Sequence, residues 1–115
     1  MNHRITAIIL FLVIMIFLYW FAEQPIAVGL ILPPYDKLAH AFMGAGLAVL
    51  LCFIFKGKYP WLTIGIVALL SALEEWHQRF LPGRVPDFYD FFAATAAACF
   101  VVIFLYWRKK NPIVL

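Results

Sequence analysis

Four long apolar stretches separated by short polar ones run along this chain, and the pattern predicts four helices. The first covers residues 5–22 and contains no charge. At about 1.5 Å per residue it nearly crosses a hydrocarbon core about 30 Å thick. It is too long for a typical secretory h-region, and no small-x-small cleavage site follows it. The second stretch covers 36–55, the third 61–80 and the fourth 88–107. Turn formers divide them: Pro25, Gly29, Pro33 and Pro34, then Lys56 to Pro60, then Pro82, Gly83 and Pro86. Asp36 suits the N-cap of the second helix. Asp87 with Asp90 at the third helical position resembles an acidic variant of a capping box. Arg108, Lys109 and Lys110 are expected to stop the fourth helix.

Small residues recur at helical spacing in two stretches. Ala41, Gly44, Ala45 and Ala48 form one set; Ala93, Ala94, Ala97 and Ala98 form the other. Such faces let helix backbones approach closely in lipid, where dispersion holds them together. The fold class expected is all-α, a four-helix transmembrane bundle forming one domain over 1–115.

Composition supports the membrane. Hydrophobic residues make up 66% and charged residues 13%, against about 45–50% and about 25% in soluble domains. A short soluble fold cannot hide that much apolar surface. The net charge of +3 does not point to nucleic acid, because the basic residues sit at the ends of apolar runs. Cys52 and Cys99 lie inside apolar runs without metal-type spacing. Both are expected to be small buried hydrophobes.

Charge also predicts orientation. With the N-terminus in the cytoplasm, that side holds Arg4, Lys56, Lys58, Arg108, Lys109 and Lys110, six of the nine basic residues. Lys37, Arg79 and Arg84 fall on the other side, with all six acids. The positive-inside rule then puts both termini in the cytoplasm of a multi-pass membrane protein.

The polar groups therefore gather at the outer side. Asp36 and His40 share a face at i,i+4, and Gly44 extends it. Ser71, Glu74, Glu75 and Gln78 are expected on one face of the third helix, with Trp76 and Phe80 pointing elsewhere. Glu74 and Glu75 lie about a turn or more below the helix end. Intramembrane carboxylates cost about 2.5–3.5 kcal/mol each at the bilayer centre, which calls for a partner or a wet cleft. Plainer roles compete. Asp36, Asp87 and Asp90 suit helix N-termini. Lys37 and Arg79 suit headgroups. Glu75 and Arg79 suit an i,i+4 ion pair, and His77 suits the interface.

The run DKLAHAFMG followed by E-x-x-Q-x-x-L-P-G-R-x-x-D-x-x-D resembles the VanZ-like family over about Asp36 to Ala98. These are small bacterial membrane proteins named for a member linked to low-level teicoplanin resistance. The family motifs fall here on Asp36, Lys37, His40, Glu75, Gln78, Arg84, Asp87 and Asp90. The resemblance implies a cell-envelope protein of the bacterial inner membrane that can lower glycopeptide sensitivity, an antibiotic-resistance role with no established reaction. The chain departs from the family pattern at Ala94 and Ala97, where an Asn and a Gly are usual.

Three classes of function follow. As a binding protein, the chain would use Lys37 and Arg84 to hold an anionic membrane lipid or a lipid-linked envelope precursor. Glu75, Gln78 and Asp90 would orient the arginine. As an enzyme, it would use His40, polarised by Asp36, as a general base near Glu75. A carboxylate–histidine cluster also suits a divalent metal, although no metal or other cofactor is expected from the spacing. The only serine, Ser71, lies about two turns below the helix end, so no nucleophile is evident and the binding class is favoured. Glu74-Glu75-x-x-x-Arg79 resembles the E-E-x-x-x-R run of CAAX-type intramembrane proteases. Their histidine motifs follow the glutamates, and here no histidine follows His77. A third class is a structural protein whose polar network sets helix register. Four helices leave a homodimer open.

Overall fold

The computed structural model describes residues 2–24, 35–83 and 87–110. Among these residues four helices form in chain order: α1 (His3–Ala22), α2 (Tyr35–Ile54), α3 (Pro60–Gln78) and α4 (Phe88–Lys110). No strand occurs among the described residues. The all-α four-helix bundle predicted from the apolar pattern is the fold observed.

The ends differ from expectation for identifiable reasons. α1 starts earlier than predicted because Asn2 caps it, its Oδ1 accepting the Arg4 N–H at 2.8 Å. Asp36 sits inside α2, one residue past its first position, rather than capping it. α3 opens with Pro60, whose missing N–H costs nothing at a helix start. It closes at Gln78; Arg79 and Phe80 form a tighter turn, in which the Phe80 N–H donates to the His77 carbonyl at 3.1 Å. α4 runs through Arg108, Lys109 and Lys110 instead of stopping there. Lys and Arg are good helix formers, and their charge suits the C-terminal end of the dipole.

α1, α2 and α4 each contain a stretch long and apolar enough to cross a membrane: His3–Phe21, Lys37–Ile54 and Phe88–Lys110. α3 falls short of that composition because its last turns carry Glu74, Glu75, His77 and Gln78. The exterior is apolar, with Phe42 78%, Trp61 82% and Phe88 78% exposed. Soluble monomers rarely expose such surface in bulk. Lipid is the solvent it fits, and the protein is a membrane protein.

α2 is the centre of the bundle. It packs most extensively on α4 and less on α1 and α3, while α4 also covers α3. One stripe of α2, Gly44 and Ala48, faces one stripe of α4, Ala94 and Ala98, and all four residues are buried. The backbones touch there: a Cβ placed on Gly44 would overlap the Ala94 carbonyl. Val67 and Thr63 of α3, with Leu47, Leu51 and Val102, are also buried.

Candidate functional site

The small-residue stripes decide what meets at the end of the bundle. His40 lies four residues before Gly44, and Asp90 lies four residues before Ala94. One turn beyond the closest backbone approach, these two side chains therefore face each other. His40 Nε2 lies 3.3 Å from Asp90 Oδ2. Lys37, nearly a turn earlier on α2, reaches the same place. Its Nζ lies 2.8 Å from Asp90 Oδ1 and 2.7 Å from Asp87 Oδ2. Asp90 is buried, with 7% of its surface exposed, so the Lys37 ammonium is what makes a carboxylate tolerable there.

Asp87 caps α4, its Oδ1 accepting the Tyr89 N–H at 2.9 Å. The capping box predicted with Asp90 does not close. The Asp87 N–H that Asp90 would have accepted is taken by Glu75 Oε2 of α3 at 2.8 Å. A carboxylate from another helix thus completes the cap, and Asp90 is released toward Lys37 and His40. The hydrogen bond from Lys37 and the Tyr89 N–H hold the Asp87 carboxyl below its ordinary value.

Lys37, His40, Glu75, Asp87 and Asp90 are thus brought together from three helices. Arg84 and the side chain of Asp36 lie outside the described residues. Gln78 is buried and donates its Nε2 hydrogen to Glu74 Oε1 at 3.4 Å. Glu75 and Arg79 form no ion pair among the described residues.

The single polar face predicted for α3 is split in two. Neighbouring positions on a helix point about 100° apart, so Glu74 and Glu75 serve different clefts. Glu75 lines an open cleft of about 610 Å³ with Ala72, Trp76, Arg79, Asp87 and Phe88. Trp76, expected to point elsewhere, is one of its walls. Ser71 and Glu74 line a narrower cavity of about 170 Å³ with Met15, Tyr19, Met43 and Gly44. His77 also lines it, stacking on Tyr19 with ring centroids 4.0 Å apart and its Nε2 3.2 Å from Glu23 Oε1. No local pattern signals this bridge, because Tyr19 and His77 are far apart in the chain.

The profile of the VanZ/LLP1 family matches residues 2–109, nearly the whole chain. The chain belongs to the VanZ/LLP1 family. No curated protein and no solved structure matches it. The VanZ-like motifs thus resolve into positions of one structure: the Asp-Lys-x-x-His run starts α2, Glu-x-x-Gln ends α3, and the two aspartates open α4. Ala94, where the VanZ-like pattern usually has Asn, is buried against Gly44; Ala97 is half-buried.

Proposed function

We propose that this VanZ/LLP1 member is an envelope protein of the bacterial inner membrane that holds an anionic lipid, or a lipid-linked envelope precursor, at its outer face. The observation that carries this reading is the cleft between α3 and α4. It joins an apolar and aromatic wall (Ala72, Trp76, Phe88) to a polar rim (Arg79, Glu75, Asp87) in one continuous surface. That is the division an amphiphile presents. Lys37 is already engaged by two carboxylates, so the exposed Arg79 takes the headgroup role that the sequence assigned to Lys37.

Purified protein in nanodiscs is expected to retain phosphatidylglycerol over phosphatidylcholine in native mass spectrometry. Arg79→Gln should weaken retention about fivefold, or about 1 kcal/mol. In cells, expression should lower teicoplanin sensitivity, and Arg79→Gln should remove that effect. Equal retention of the neutral lipid would sink this reading. Orientation has its own check. A reporter active only in the cytoplasm, fused after Leu115, should work; activity only from a periplasmic reporter would invert the topology.

A further inference from the structure

We propose that His40, Glu75 and Asp90 form a divalent-cation site, one donor from each of α2, α3 and α4, for which Zn²⁺ and Mn²⁺ are the fitting ions. One ligand atom from each of the three residues lies within 4.8 Å of the other two. The spacing of His40 Nε2 and Asp90 Oδ2, 3.3 Å, is that of two ligands on one tetrahedral ion. An imidazole nitrogen with two carboxylates is a mixed donor set, harder than a thiolate site and softer than an all-oxygen one. This revises the expectation from the sequence, where no metal followed from spacing alone because the three donors sit on different helices.

Charge adds an independent reason. Among the described residues the cluster has three carboxylates, Glu75, Asp87 and Asp90, against one ammonium. Lys37 is tethered beside Asp87 and Asp90. No described cation pairs with Glu75, whose Oε2 instead accepts the backbone N–H of Asp87. That hydrogen bond fixes the carboxylate from behind, as outer partners do for metal ligands. Two of the carboxylates therefore already hold the Lys37 ammonium, and the third faces the same space with no described ion pair of its own.

The site would be three-coordinate from protein, and Glu75 also lines the cleft between α3 and α4. The remaining position would face that cleft, the arrangement of ions that meet a ligand rather than only brace a fold. To ligate through Nε2, His40 must be neutral with its proton on Nδ1. Lys37 repels the ion from close range, so this ammonium sets the affinity from the unfavourable side. The site does not depend on the lipid reading, since it is built from the cluster alone.

The test is titration of the purified, chelator-treated full chain with Zn²⁺ by calorimetry and with Mn²⁺ by electron paramagnetic resonance. One saturable site is expected. His40→Gln and Glu75→Gln should each weaken it about tenfold or more, and Lys37→Met should tighten it about fivefold or more. Thermal unfolding in the same samples guards against misfolded variants: Zn²⁺ should raise the midpoint of the parent and of Lys37→Met. If His40→Gln does not fold, Glu75→Gln and Lys37→Met carry the decision. Absence of saturable binding in both parent and Lys37→Met overturns the proposal. So does binding that ignores Glu75→Gln, which would assign the ion to another place such as His3. Lipid retention by the metal-free protein is read separately, so failure here leaves the amphiphile reading standing.

Discussion

Gly44→Ala is expected to be the most damaging conservative substitution in the chain. The added Cβ would overlap the carbonyl, carbonyl carbon and Cα of Ala94, all backbone atoms that cannot swing aside. Overpacking of this kind costs about 3 kcal/mol, while alanine's better helix propensity returns about 1 kcal/mol, leaving a net loss of about 2 kcal/mol. The harm should extend beyond stability. Spreading α2 from α4 separates His40 from Asp90, which are held 3.3 Å apart one turn further along. Gly46 supplies the control, because a Cβ there meets nothing within 4 Å. Gly46→Ala should be neutral or slightly stabilising. Thermal unfolding in detergent, with the monodisperse fraction after extraction, compares the two. If Gly44→Ala and Gly46→Ala behave alike, the close approach of α2 and α4 is wrong.

That contact shows how much of the protein the sequence made visible. The small residues of α2 and α4 recur every four positions, and a period that short is readable without coordinates. Helix count followed from the same one-dimensional signal. The ends were less visible, since a basic run such as Arg108–Lys110 extends a helix as readily as it stops one. The cluster was legible by residue type but not by pairing. The spacing pairs His40 with Asp36, whose side chain lies outside the described residues, and it gives no sign of Asp90, the carboxylate 50 residues away that His40 meets. Likewise the spacing makes Asp90 a capping residue, whereas Glu75 takes that hydrogen bond. Pairings across helices depend on how the helices pack, and no local periodicity reports that.

Lys37→Met is expected to show which carboxylate the ammonium is there to balance. The side chain of Asp90 is 9% exposed and that of Asp87 is 36% exposed. Removing the cation strands both, but not equally. Asp87 can turn to water and headgroups, where an exposed pair contributes little. Asp90 cannot, and among the described residues it keeps only His40. Breaking a fully buried pair costs about 3–5 kcal/mol. The Lys37 side chain is itself 28% exposed, so a loss of about 2 kcal/mol is the discounted expectation. Adding Asp90→Asn to Lys37→Met should recover about half of that loss, because a buried amide carries no charge to strand. Adding Asp87→Asn should recover little. The order of unfolding midpoints is therefore parent, then Lys37→Met with Asp90→Asn, then Lys37→Met with Asp87→Asn, then Lys37→Met alone. A chelator must be present throughout, since a bound divalent ion would replace the missing charge and mask the deficit. A Lys37→Met protein as stable as its parent would mean that the ion pairs contribute nothing. Equal rescue by the two asparagines would mean that Asp90 is no drier than Asp87, and the burial that the cluster's electrostatics depend on would then be wrong.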